Sequence, residues 1–171
     1  METLFSGRVF DVVRKNAISR TGKQMELDII LHPGGVAVLP ILPDGRIVLV
    51  RQKRFTVEEY LIELPAGRAE PGEEPIVTAR RELMEETGYR ADELVPMVKI
   101  LTTPGFVKEE IHLFKATGLT TGSTAFDDGE DIETVILTLP EAMEKVLSGE
   151  IRDSKTIIGI FWYNQSNQSN R

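Results

Sequence analysis

A chain of 171 residues, 41% hydrophobic and 27% charged, has the make-up of one folded domain with a sizeable core. Its net charge of −7 argues against non-specific nucleic-acid binding, which needs lysine and arginine to neutralise phosphates, yet leaves room for a small anion held through bound cations. The absence of cysteine excludes disulfides, thiolate metal sites and a cysteine nucleophile, and two histidines, His32 and His112, are too few for a histidine-rich zinc site.

In chain order, residues 7–14 and 25–31 alternate as strands, separated by the turn residues Thr21 and Gly22. Residues 36–42 and 47–50 are β-branched runs joined by Pro43-Asp44-Gly45-Arg46, which predicts a hairpin. A short apolar stretch, 60–64, ends at Pro65-Ala66-Gly67, and a helix is predicted to open at Pro75 and close at Gly88. Strands are expected at 94–101, 111–116 and 134–139, the first two around Thr103-Pro104-Gly105-Phe106. Helices are expected at 140–147 and 154–163, with Ser154 available to cap the second. The expected class is α/β, a mixed sheet with helices on its faces. It divides into amino-terminal strands (1–35), a main domain (36–163) and a flexible polar tail (164–171). No apolar run reaches the ~18 residues of a membrane span and the first residues lack a signal-peptide pattern, so a cytoplasmic protein without membrane or nucleic-acid partners is expected.

The predicted helix concentrates the chemistry. Ile76, Ala79 and Leu83, with Val77 and Met84 more loosely, can face a core, while Glu82 and Glu86 stack four apart and Glu85 lies on the neighbouring stripe. Like charges at this spacing, close to the carboxyl end of the helix dipole, repel unless a cation resolves them. Oxygen-only carboxylate ligands suit Mg²⁺, with Mn²⁺ as a substitute. Arg81, four before Glu85, can orient one carboxylate.

Gly67, five residues, Glu73, seven residues and then Arg81-Glu82-Leu83-Met84-Glu85-Glu86-Thr87-Gly88-Tyr89 resembles the Nudix box, departing only at Tyr89, where that family carries a bulky aliphatic residue. The resemblance implies an α/β/α sandwich with a mixed sheet that hydrolyses a nucleoside diphosphate linked to another moiety. By the same resemblance, Glu82 and Glu86 are the main metal ligands, Glu85 and the Ala66 carbonyl assist them with Glu85 also catalytic, and Glu73 braces the loop–helix turn.

The flanking segments Val50-Arg51-Gln52-Lys53-Arg54, Glu63-Leu64-Pro65-Ala66-Gly67 and Thr103-Pro104-Gly105-Phe106-Val107-Lys108-Glu109 are similar to the ADP-ribose pyrophosphatase branch, including Pro104, 15 residues after Tyr89. Arg51 and Arg54 fit edge-strand charges or forked ligands of a diphosphate, Arg54 above all, and Glu63 is structural or, as that similarity implies, part of the nucleoside pocket. The similarity implies Phe106 as a core residue or an adenine-stacking face, and Glu109 at the terminal ribose. In the acidic segment 126–131, Glu130 matches a late metal-binding carboxylate, while Asp128 stands where some relatives carry a glutamate general base; the segment also fits a solvated turn. His32 and His112 read as structural.

The expected activity is Mg²⁺-dependent cleavage of ADP-ribose to AMP and ribose 5-phosphate. GDP-mannose or another nucleoside diphosphate sugar is the alternative substrate. A non-catalytic nucleotide-sensing module is the alternative of another class, and it would predict loss of one of Glu82, Glu85 and Glu86, all of which are present. The resemblance also implies a homodimer in which the amino-terminal strands, with Arg8, Arg14 and Arg20, are exchanged.

Overall fold

In the computed structural model, which describes residues 1–122 and 132–169, the chain opens with an antiparallel meander of β1 (Glu2–Ser6), β2 (Asp11–Ile18) and β3 (Gln24–Leu31). Strand β1 escapes a reading by alternation because all five of its residues are exposed, leaving no buried face for the pattern to mark. There follow β4 (Gly35–Pro40), β5 (Ile47–Arg54), β6 (Glu59–Glu63), β7 (Ala66–Gly67), α1 (Pro75–Thr87), β8 (Tyr89–Leu101), β9 (Val107–Lys108), β10 (Glu110–Thr121), β11 (Ile132–Leu137), α2 (Leu139–Leu147) and α3 (Ser154–Ser169).

Two sheets make the centre. One runs β7-β4-β10-β8, with β4 and β10 parallel and the other neighbours antiparallel; the other is the antiparallel β11-β5-β6. Alternation along β4 sends Val36 and Val38 to the α1 side, where they meet Ala79, Leu83 and Phe114. Ala37 and Leu39 point the other way, onto Leu113, Ala142 of α2 and Ile160 of α3. Both faces are therefore covered, which gives the α/β/α sandwich. The meander forms a separate sheet, β1-β2-β3-β9, whose last strand belongs to the loop after β8.

Four local expectations are corrected. The Pro43-Asp44-Gly45-Arg46 turn does not make a hairpin: beyond one bridge, Ile41 to Ile47, it carries the chain from the first central sheet to the second. Alternation reports which face of a strand is buried, not which strand lies beside it. On α1, Ile76 and Val77 are exposed, and the buried face holds Thr78, Ala79, Glu82, Leu83 and Glu86, because this helix buries its carboxylates toward a cleft. Asp153, not Ser154, caps α3: its Oδ2 accepts from the Thr156 backbone N–H at 2.9 Å and from the Thr156 hydroxyl at 2.6 Å. Finally, α3 continues to Ser169, into the polar repeat expected to lie outside the helix, since propagating an anchored helix is far easier than starting one.

Candidate active site

The carboxylate cluster is assembled where the β7 loop meets α1. Pro75 occupies the first helical turn, and the Glu74 side chain makes no capping bond. Glu73 instead ties the loop to the helix, accepting from the Glu70 backbone N–H at 3.0 Å, the Thr78 hydroxyl at 2.9 Å and Arg81 Nη2 at 3.1 Å. These hydrogen bonds, that of Arg81 first, hold the Glu73 carboxyl down at about 2. The bond to Glu73, reinforced by Glu82 and Glu85, raises the Arg81 guanidinium above its ordinary range against the desolvation that lowers it. Arg81 Nη1 donates to Glu82 Oε1 at 2.8 Å and to Glu85 Oε2 at 2.9 Å, and Nη2 donates to the Arg68 carbonyl at 3.0 Å. One guanidinium thus orients three carboxylates, where the spacing had indicated one.

Glu86 Oε2 accepts from the Ala66 backbone N–H at 3.0 Å. A Cβ at Gly67 would run into the Glu82 carboxylate and displace it from its place beside Arg81. At the other helix end Gly88 adopts a φ of 72°, and its N–H bonds the Met84 carbonyl, closing α1 in the left-handed conformation that glycine takes without strain.

Glu82, Glu85 and Glu86 line a cleft of about 640 Å³, together with Ala66, Gly67 and Arg68. Gln52 and Arg54 of β5, Lys155 of α3, His32 and Glu109 line the same cleft. Arg54 donates from Nε and Nη2 to Glu63 at 2.7 and 2.8 Å, leaving Nη1 outside that fork. Glu63 is buried behind Arg54 and also receives Lys155, which donates to Asp153 Oδ1 at 2.9 Å as well. Burial works to raise the Glu63 carboxyl, but the bonds from Arg54 and the charge of Lys155 outweigh it and hold the group at about 2. Glu109 is fixed by the Thr102 hydroxyl, which donates to Oε2 at 2.6 Å, and lies 2.9 Å from His32 Nδ1.

Of the expected site residues, the cleft gathers Ala66, Glu82, Glu85, Glu86, Arg54 and Glu109, with Glu63 behind them. Arg51 lies elsewhere: its guanidinium stacks 4.3 Å from the Tyr60 ring and pairs with Glu133 at 3.5 Å. Phe106 is neither core nor cleft wall but exposed, on the turn that leads into β9. Asp128 and Glu130 lie outside the described residues. Lys155, Gln52 and a cleft-lining His32 were not foreseen. Lys155 meets Glu63 from 92 residues away, and no local pattern announces such a pairing.

The cleft carries carboxylates of the type that suits a hard divalent cation, Glu82 and Glu86 buried, beside a loop whose Ala66 N–H bonds Glu86. Among the described residues, no three acidic or imidazole groups already converge into a cage, because Glu82 and Glu85 are turned to Arg81. In chemical type the donor set fits such a cation.

Comparison with known proteins places this geometry. Residues 31–157 match the NUDIX domain family. An ADP-ribose pyrophosphatase of Bacillus subtilis (strain 168) is 40% identical over 93% of this chain and 87% of its own length. A methanol dehydrogenase activator of Bacillus methanolicus shows the same identity and coverage, 40%, 93% and 87%. A GDP-mannose pyrophosphatase of Cronobacter sakazakii is 41% identical over 87% of this chain and 81% of its own. In fold, a solved ADP compounds hydrolase superposes with a TM-score of 0.87 over 99% of this chain and 92% of that one, at 23% identity.

Proposed function

The chain belongs to the NUDIX domain family, and from that premise we propose that it hydrolyses the pyrophosphate bond of a nucleoside diphosphate sugar, with ADP-ribose, cleaved to AMP and ribose 5-phosphate, as its main substrate. The observation that carries this reading is that Glu82, Glu85 and Glu86, the Ala66-Gly67 loop, Arg54 and Lys155 line one cleft. Glu82 and Glu86, with Glu85 and the Ala66 carbonyl beside them, would hold Mg²⁺, or Mn²⁺ in its place. When bound, that cation neutralises charge on the phosphate oxygens and activates the attacking water.

The remaining roles belong to side chains. Arg81 keeps Glu82 and Glu85 oriented, and Glu73 keeps Arg81 in place. Arg54, with N–H donors outside its fork to Glu63, takes the diphosphate, and Glu63 fixes that arginine beside the nucleoside. Glu109, held by Thr102, accepts from the terminal ribose hydroxyls. Glu130 is the further metal carboxylate, and Asp128 or Glu85 takes the proton of the attacking water. Arg51 and Phe106 do not line this cleft.

GDP-mannose is the second reading, favoured by the relative named for it. The test compares kcat/KM for ADP-ribose, GDP-mannose, UDP-glucose, NADH and a dinucleoside tetraphosphate, with Mg²⁺ and with Mn²⁺. The expected result is the highest value for ADP-ribose; preference for the dinucleoside polyphosphate would overturn the assignment, and no turnover of any substrate would make the chain a sensing module. The enzyme works as a homodimer joined through its amino-terminal strands, in the cytoplasm. Among the described residues no helix is long and apolar enough to cross a membrane.

A further inference from the structure

Gln52 is the one residue of the cleft whose buried polar atom is left without a partner. Only 8% of it is exposed, and among the described residues its Nε2 is the buried side-chain nitrogen or oxygen that no hydrogen bond satisfies. A buried amide donor without an acceptor is rare and calls for a reason. Packing supplies none. On the same face of the sheet Gln52 stands beside Val50 of its own strand, and opposite Leu61 and Ile132 of the neighbouring strands. An apolar side chain of the same size would fill that position without an orphaned group. On the β6 side the ladder runs past Gln52 to Arg54, so the backbone there offers the amide no turn or cap.

Gln52 lines the cleft two residues from Arg54, about 7 Å along the strand. Its Nε2 is itself shut off from solvent, and a turn of the side chain about χ3 brings it toward the cleft, where both side chains can meet one diphosphate. We infer that Gln52 is a substrate-contacting residue whose amide donates to a phosphoryl oxygen of the bound diphosphate, an acceptor that the described residues do not provide. A neutral donor suits this place. It adds a hydrogen bond to the anion without adding a cation that would compete for Glu82 and Glu86 in the same cleft. The inference rests on the pyrophosphatase reading above, which the wild-type assay tests separately.

The experiment replaces Gln52 by methionine, of similar length and without polar atoms, and by glutamate, of the same shape but charged. Two measurements are made on each: steady-state kinetics with ADP-ribose and Mg²⁺, and thermal melting with and without the α,β-methylene analogue of ADP-ribose. The expected result for Gln52→Met is an unchanged or higher Tm for the free protein, because an unsatisfied buried donor has been removed. Its kcat/KM falls about 10-fold or more, mainly through KM, and the Tm rise produced by the analogue shrinks. Gln52→Glu, which sets a charge against the phosphates, shows at least as large a rise in KM; it decides the matter if the methionine variant does not fold. Kinetics within twofold of wild type in either folded variant would overturn the inference, as would a lower Tm in free Gln52→Met with KM unchanged. A wild-type protein that turns over no nucleoside diphosphate sugar would instead sink the reading beneath it.

Discussion

Glu86 owes its position to two neighbours in the chain's architecture rather than in its sequence: the Ala66 N–H, which holds one oxygen, and the burial that keeps water from the carboxylate. Gln at this position keeps an oxygen for the Ala66 bond but removes the charge on which the proposed metal site relies. Losing a residue that only orients a metal ligand costs about 10–100-fold. Glu86→Gln is therefore expected to lower kcat with Mg²⁺ by about 100-fold or more, with a circular-dichroism spectrum like that of wild type. Near-normal turnover would remove Glu86 from the metal site. Residues of this kind were legible in advance because helical spacing and two fixed gaps place Glu73, Arg81, Glu82, Glu85 and Glu86 together. Lys155 and Gln52 were not, since each is a single position whose meaning comes from strands and helices brought to it by folding.

At the scale of elements, α1 was readable to its ends because proline and glycine punctuate it, whereas the fate of the turn after β4 was not, because strand partners are chosen by the assembled sheets. Helix α3 is attached to the central strands by polar groups as much as by apolar ones. Lys155 pairs with Glu63, and the Thr156 hydroxyl accepts from the Leu64 backbone N–H at 2.8 Å. Glu63 titrates at about 2 in the folded protein against an ordinary 4.5. Its folded-state value is depressed, so its contribution is complete above about pH 4.5 and is lost as the pH falls toward 2, where the unfolded chain takes up the proton first. Removing one partner of a buried pair costs about 3–5 kcal/mol. Glu63→Gln should thus melt well below wild type at pH 6, and the gap in Tm should close between pH 4.5 and 2. A gap that stays constant with pH would show that the ion pair does not anchor α3.

For the molecule as a whole, the amino-terminal sheet leaves Leu4, Phe5, Phe10, Ile18 and Met25 exposed, more apolar surface than a free-standing three-strand meander with β9 comfortably presents to water. Burying that surface against a second copy is the assembly proposed above. Light scattering on the eluting protein should give twice the mass of one chain, and Phe5→Asp combined with Ile18→Asp should halve it. A wild-type protein that elutes at the mass of one chain would refute the dimer. The covering of both faces of the central sheets was readable from the mixture of strands and helices, but the sheet in which the meander ends was not.

That ending has an effect beyond architecture. Ile30 N–H bonds the Phe106 carbonyl at 2.9 Å and His32 N–H the Lys108 carbonyl at 3.1 Å, so the edge of β3 sets the path of the loop that delivers Glu109. A boundary drawn at residue 35 separates two stretches of sequence but not two independent parts. An engineer who exchanged the first 35 residues for those of another protein would also be re-aiming Glu109, the carboxylate that the proposed reading sets against the terminal ribose.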